Sequence, residues 1–371
     1  MNILINCSNL KKGGGLQVAD SICGELGRHR EHFFVVVLST FMDETKKRIS
    51  KDCHLTIYTY NITNHFSTLI LGRDSFLDHL VDKFKIDVVL TVFGPSRWTP
   101  RCSHLCGFAR SHLVLSDSPY YKRMNNIRLF KERLNNLILR FFFIRSGKFF
   151  WTENPYISDL LKKKLPRGCN VYSVSNYYNQ IFDNNQLYKK LESVERNNCF
   201  TCLTISTYKD YKNFEIIPLI LNELQNAHPK FDIRFIVTLD KDELYVPTQF
   251  NESVVFVGKV DIAYCPYLYQ ISDLMFMPTL LECFTASYPE AMRMGIPIVT
   301  TDLEFARGLC GEAACYYSPL DAKLAAEAIF KVATDKKYSE YLVENGKKQL
   351  EKFYNYKERT DKLINILEKI V

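Results

Sequence analysis

The chain has 371 residues, 47% hydrophobic and 24% charged, with 15 glycines and 13 prolines, an ordinary globular composition on a chain too long for one typical domain, which favours two domains of similar size. Its net charge of +7 is unevenly spread. Residues 1–175 carry 26 Lys and Arg against 14 Asp and Glu, the remainder 22 against 27, so the first half is the one suited to an anionic partner.

The opening Met1-Asn2-Ile3-Leu4-Ile5-Asn6 reads as a short strand, not as a signal peptide. Further strand-like apolar runs follow at 33–38, 55–58, 86–92, 105–109, 148–152 and 170–174, with helical patterns at 16–28, 75–84 and 157–165 between them. A second set occupies 200–205, 233–238, 254–257, 274–277, 298–300 and 314–317, with helices predicted at 214–227, 266–271, 286–294 and 321–334. Repeated βα units predict an α/β protein with parallel sheets covered by helices on both faces, and two successive sets predict two Rossmann-like domains. The polar tract 176–198 is the predicted boundary, and a long helical segment, 338–371, closes the chain.

No apolar run reaches the roughly 18 residues that a membrane-spanning helix needs. Twelve cysteines scattered through strand-like and helical stretches suit reduced thiols and a cytoplasmic protein. Cys199 and Cys202 would point to opposite faces of one strand, so they read as structural thiols and not as metal ligands, and so do Cys310 and Cys315. Asp240-Lys241-Asp242 ends a strand and reads as a solvated turn, so no metal is expected to be required.

Three stretches carry chemistry. After the first strand, Leu10-Lys11-Lys12 leads into Gly13-Gly14-Gly15 and then a helix, a backbone that a phosphate can approach closely. In the second set, Ile205-Ser206-Thr207-Tyr208-Lys209-Asp210-Tyr211-Lys212-Asn213 opens from strand to helix with two lysines in the connection. Later comes Pro278-Thr279-Leu280-Leu281-Glu282-Cys283-Phe284-Thr285-Ala286-Ser287-Tyr288-Pro289-Glu290-Ala291, closed by Gly295-Ile296-Pro297. Strand, acidic loop and helix in that order aim N–H groups and a helix dipole at an anion, with Thr285 or Ser287 as N-cap and Pro289 in the first turn. Glu282 and Glu290 then flank the anion and need other partners, for which sugar hydroxyls are the natural choice. Glu290 is expected on the helix surface, contributing little to the core.

That last stretch resembles the Glu-x7-Glu motif of retaining GT-B glycosyltransferases, most closely glycosyltransferase family 4. Glu290-Ala291, Gly295, Pro297 and Val299 fall in register with the family pattern, whereas Cys283 and Thr285 replace its two glycines. The resemblance implies two Rossmann-like domains facing across a cleft: 1–178 on the acceptor side, a linker at 179–198, and 199–350 binding the nucleotide sugar. A terminal helix, 351–371, crosses back to the first domain.

By resemblance, Glu282 binds the donor sugar, Glu290 the ribose, and the Phe284 and Thr285 backbone the phosphates. Lys212 neutralises the diphosphate. The family's arginine is replaced by Ser206 or Thr207, with Lys209 standing in as a flexible point charge. Val260 follows a strand-Gly turn whose backbone meets the base. Gly13, Gly14 and Gly15 match the family's glycine-rich loop, opposite the donor diphosphate across the cleft. Arg110 and His112 lie near the position of a histidine that touches the donor sugar in many relatives. The implied reaction is retaining, a front-face displacement in which the leaving diphosphate helps deprotonate the acceptor. No cofactor is implied, only a UDP- or GDP-sugar as donor substrate.

Between Lys122 and Lys148 stand eight Lys and Arg against one acid, Glu132, interleaved with Leu134, Leu137, Ile138, Phe141 and Phe142 at helical spacing. Such a helix can lie on an anionic membrane surface or pack on a core with a solvated basic edge. The membrane reading implies a saccharide acceptor linked to polyprenyl diphosphate, in surface-glycan synthesis at the inner face of the membrane. No nucleic-acid module is present.

Two other enzyme classes and an inert protein compete with the transferase. A UDP-sugar 2-epimerase would be expected to carry further acids and histidines in the cleft. A nicotinamide oxidoreductase would want GxGxxG after the first strand, and that is absent. A catalytically inert sugar-nucleotide-binding protein is left open by the altered loop and the missing arginine.

Overall fold

The computed structural model describes residues 1–11, 13–63 and 66–371, so Lys12 of the glycine turn lies outside the described residues. Contacts divide the chain into two units, one made of Met1–Ser116, Met124–Asn176 and Tyr354–Val371, the other of Asp117–Arg123 and Tyr177–Phe353.

The first unit holds strands β1 (Asn2–Asn6), β2 (Phe33–Leu38), β3 (Leu55–Thr59), β4 (Val88–Thr91), β5 (Ser103–Gly107), β6 (Phe149–Thr152) and β7 (Asn170–Ser173). They form one parallel sheet in the order β3-β2-β1-β4-β5-β6-β7. Alternation along the strands decides which layer each side chain joins. Ile3, Ile5, Val36, Val88 and Leu90 pack into one core, whereas Leu4, Val35, Val37 and Val89 pack into another on the opposite face. Because both faces are covered, the strands read as apolar runs and not as an alternation.

The terminal helix Tyr356–Ile370 completes the first of these cores with Leu363, Ile364, Ile366, Leu367 and Ile370. Asn355 begins it with a capping box to Glu358. The single segment expected over 338–371 is therefore two helices, Lys336–Leu350 and Tyr356–Ile370, divided by a turn whose Asn355 cap satisfies the new N-terminus. Arg359 is fully buried on that helix and donates to Asn176 Oδ1.

The second unit holds β8 (Phe200–Thr204), β9 (Ile233–Val237), β10 (Val254–Phe256), β11 (Leu274–Met277), β12 (Ile298–Thr301) and β13 (Ala314–Tyr317). These are again parallel, in the order β10-β9-β8-β11-β12-β13. Its core gathers Phe214, Ile217 and Ile220 with Phe235, Phe276 and Ile329. The segment Asp117–Arg123, which the sequence places in the first domain, groups with this unit, because its side chains bond to loops more than 80 residues further on.

In both sheets the strand order reverses beside one central strand, between β1 and β4 and between β8 and β11. Connections leave to opposite faces there, opening a crevice beyond the strand ends where α/β folds bind ligands. All three chemistry-bearing stretches follow these strands. The glycine turn follows β1, the lysine loop follows β8, and the Glu282 loop follows β11.

Candidate active site

In the second unit, the loops after β8 and β11 are tied to each other. Leu280 N donates to the Tyr211 carbonyl at 2.7 Å, Thr279 Oγ1 to the same carbonyl at 3.4 Å, and Thr301 Oγ1 to the Thr279 carbonyl at 2.7 Å. This lacing brings Lys212 Nζ onto Glu282 Oε1, although the two residues are 70 positions apart. Their side chains are only 11% and 13% exposed, so the pair is largely withdrawn from water and weakly screened. Thr279 Oγ1 also reaches Glu282 Oε1, at 3.4 Å. Lys209 is exposed on the same turn, with its carbonyl accepting from Lys212 N at 2.8 Å.

The helix Ser287–Met294 follows the Glu282 loop along the chain. Neither expected side-chain cap is made. Ala286 is the N-cap, and Ser287 Oγ instead donates to the Ile205 carbonyl at 3.2 Å, pinning the helix start to the end of β8. Thr285 is buried and Phe284 half-buried, the latter ring edge-on to Phe353 with centroids 6.2 Å apart. Gly295 closes the helix at φ +72°, a conformation that suits glycine.

Glu290 is not a surface acid. It is 4% exposed, and the Tyr269 hydroxyl donates to its Oε2 at 2.9 Å. Burial pushes its pKa up to about 7, against the opposing pull of that hydrogen bond. The helix turns this position inward because Tyr288, Ala291 and Met292 beside it are also buried, a tertiary choice that the motif spacing does not reveal. A buried carboxyl near neutrality can bind hydroxyl groups in either protonation state, as donor or acceptor.

The sequence missed a second set of residues. Arg123 Nη1 donates to Asn213 Oδ1 at 2.8 Å, and its Nη2 lies 3.6 Å from Glu215 Oε2. Glu215 also accepts from the Tyr208 hydroxyl at 2.6 Å, and Asn213 holds the turn in the left-handed region at φ +56°. Ser118 Oγ donates to the Leu280 carbonyl at 2.6 Å, and Tyr120 meets Tyr211 edge-on, centroids 5.9 Å apart. A guanidinium thus reaches the lysine loop from a distant segment, in a loop where Ser206 and Thr207 leave no local arginine. The only sequence signal was the basic tract, which pointed elsewhere.

Val260 is half-buried after Gly258, whose φ is +67° and whose N–H donates to the Leu239 carbonyl at 3.0 Å. Asp240 lies 3.5 Å from Lys259, and both are exposed. Among the described residues, the grouping with metal-ligand spacing is the half-buried Asp52 with the exposed Cys53 and His54, far along the chain from 240–242. All twelve cysteines are free thiols.

In the first unit, Asn9 Nδ2 donates to the Phe93 carbonyl at 2.7 Å, joining the loops after β1 and β4. Gly13 has φ +75° and caps the helix Gly14–Glu25 without a side-chain bond. A Cβ added at Gly13 or Gly14 would meet nothing within 4 Å, whereas one at Gly15 would touch Phe93 at 3.5 Å. Arg110 is exposed and caps the short helix Ser111–Val114. His112, half-buried, is pushed down to about 4 by burial and by the Arg110 charge, so its imidazole is neutral near pH 7. The structure thus brings together Lys212, Glu282 and the elements carrying Thr285 and Glu290 in one unit, and Gly13–Gly15, Arg110 and His112 belong to the other.

Two parallel sheets of this order define the GT-B architecture, and solved structures of low sequence identity share it along the whole chain. Sucrose-phosphate synthase from Thermosynechococcus elongatus superposes with a TM-score of 0.69 at 13% identity, covering 99% of this chain and 98% of the other. A glycosyltransferase from Rickettsia africae gives 0.69 at 15% identity, covering 100% and 98%. HepE of Anabaena, in complex with UDP and glucose, gives 0.66 at 15% identity, covering 99% of each chain. Residues 240–349, which span the Glu282 loop and its helix, match the family described as Glycosyl transferases group 1. No curated protein matches. Domain match and fold together support a GT-B glycosyltransferase.

Proposed function

We infer that this protein is a retaining, metal-independent glycosyltransferase, similar to family 4, that takes its sugar from a nucleoside-diphosphate sugar. The observation that carries the reading is the meeting of Lys212 and Glu282 at the β8–β11 switch point, in the same unit as the buried Glu290 of the helix that follows. A cation there suits a diphosphate, and two acids beside it suit hydroxyls. Lys212 stabilises the charge that develops on the leaving diphosphate, Glu282 binds the donor sugar and Glu290 the ribose. Lys209 and the Phe284 and Thr285 backbone are assigned to the phosphates, and Val260 to the base. In the first unit the candidates are the glycine turn, Arg110 and His112.

UDP-sugars are the first donors to test, since HepE is described in complex with UDP and with UDP-glucose. The acceptor is assigned as a saccharide on a polyprenyl diphosphate in surface-glycan synthesis, at the cytoplasmic face of an anionic membrane. Support for that finer reading comes from the basic first half of the chain. Calorimetric titration with UDP, GDP, UDP-glucose and NAD is the test. Binding of UDP or GDP that weakens in Lys212→Ala, with uridine or guanosine affinity unchanged, is the expected result. Binding of NAD alone, or of none of the four, would overturn the reading.

A further inference from the structure

The helix Asn126–Ser146 buries only Phe142, Phe143 and Ser146, all in its last turns. Along the rest of it, Ile127, Phe130, Leu134, Leu137, Ile138 and Phe141 stand in solvent, with exposures from 48% to 70%. At 100° per residue these six fall within an arc of roughly 100° on one side of the helix. Single exposed apolar residues are ordinary, whereas a continuous stripe of six large ones marks an interaction surface.

A second element extends the stripe. Phe66 is 75% exposed, and in the following turn, Ser67–Leu71, Ile70 and Leu71 are 60% and 63% exposed. Arg145, from the last turn of the long helix, fastens this turn in place. Its guanidinium donates to the carbonyls of Thr68 at 2.8 Å, Leu69 at 2.6 Å and Ile70 at 3.2 Å. Three donors from one side chain hold the turn where it leaves its apolar residues outward.

Charge decides what covers the surface. Arg133 and Arg140 border the stripe on one side and Lys131 on the other, and all three are exposed. Two copies meeting face to face would bring these like charges together, which disfavours a self-dimer. An anionic lipid surface satisfies both components: the apolar stripe enters the acyl boundary and the flanking cations snorkel to the headgroups. No helix among the described residues is long and apolar enough to cross a membrane, so the surface lies on the bilayer and does not span it.

We propose that the outward face of Asn126–Ser146, together with Phe66, Ile70 and Leu71, is a two-part docking surface for an anionic lipid bilayer. It deepens the lipid-linked acceptor reading above, but its geometry is independent of the donor site, so the two can fail separately.

The test is flotation of the full chain with vesicles of phosphatidylcholine alone and of phosphatidylcholine with phosphatidylglycerol in equal parts, with UDP titrated into each variant. The wild type should float with the anionic vesicles and not with the neutral ones. Phe130→Asp with Leu137→Asp should reduce the bound fraction by about tenfold or more, since both changes replace apolar burial with a charge that the lipid headgroups repel. Phe66→Ser with Leu71→Ser should weaken it several-fold, and Lys131→Gln with Arg133→Gln and Arg140→Gln should lower it towards the neutral-vesicle level. UDP affinity should stay at its wild-type value in all three. A wild type that ignores anionic vesicles overturns the proposal, and so do apolar variants that float unchanged. Concentration-dependent dimers abolished by Phe130→Asp with Leu137→Asp would assign the face to a second copy and equally overturn it. Flotation without UDP binding would instead sink the donor reading and leave the docking surface standing.

Discussion

The two switch points of the molecule are built on the same strand order and filled in opposite ways. Beyond β8 and β11, charged and polar side chains bond one another: Lys212 to Glu282, Arg123 to Asn213, Tyr208 to Glu215, Tyr269 to Glu290. Beyond β1, a Cβ built at Gly13 or Gly14 would meet nothing within 4 Å, so the space over both glycines is open. The difference teaches what each unit contributes. A crowded, charged crevice can grip a ligand with directional bonds. A glycine turn contributes chiefly room and exposed N–H groups.

The sharpest way to break this contrast is to remove one member of the charged pair. Glu282→Ala should lower kcat/KM by about a hundredfold or more, read in steady-state assays with a UDP-sugar. Lys212→Ala should weaken UDP about thirtyfold to a hundredfold, the worth of a charge-assisted bond in a shielded site, and leave uridine unchanged. Because the two groups bond each other, the double variant should lose less than the singles added together.

Next in size is the pH dependence of Glu290. With its pKa at about 7 in the free protein, a ribose that prefers the carboxylate must drive off a proton below that pH. UDP affinity should fall by up to about tenfold per pH unit below 7 and level off above it. Proton release on binding, measured in buffers of different ionisation enthalpy, checks the same point. For stability the sign is reversed. A raised folded pKa means that Glu290 favours the fold below the ordinary carboxyl value of 4.5, and that this contribution is lost as pH rises through about 7. Glu290→Gln should abolish both trends, whereas an unchanged pH profile in that variant would detach the acid from both roles.

A glycine pair probes the open side. Gly13→Ala should destabilise the protein by about 1–2 kcal/mol, because its positive φ suits no other residue, with thermal melting as the readout. Gly14→Ala should change stability by less than about 0.5 kcal/mol, since its Cβ meets nothing. If Gly14→Ala proves as damaging as Gly13→Ala, the space over the turn is not open. The smallest effect is expected from Arg123→Lys, a few-fold loss of UDP affinity, since lysine keeps the charge without the fork that reaches both Asn213 and Glu215.

Much of the fold was legible because buried parallel strands must be apolar along their whole length. All thirteen strand-like runs became strands, with shifts of one or two residues at their ends. Lys212 and Glu282 were legible as separate candidates, each from a strand-loop-helix connection. Arg123 was not, because its partner Asn213 lies 90 residues away and nothing local marks the contact. Its neighbourhood read as a basic tract, which is also how the exposed helix after it reads. Ala286 as N-cap escaped for a similar reason: Ser287 looked like a cap until β8 offered its hydroxyl a better acceptor.

What the amino-acid order determined by itself was the alternation of strand and helix, the place of each charged loop after a strand, and the eight-residue offset of the two glutamates. These depend on periodicity and near neighbours. Only the folded structure decided that Lys212 closes on Glu282, that Glu290 turns inward under Tyr269, and that the apolar side of Asn126–Ser146 faces solvent. Each of those outcomes depends on which surfaces the sheet and its neighbours leave uncovered, and that competition for burial is settled across the whole chain at once.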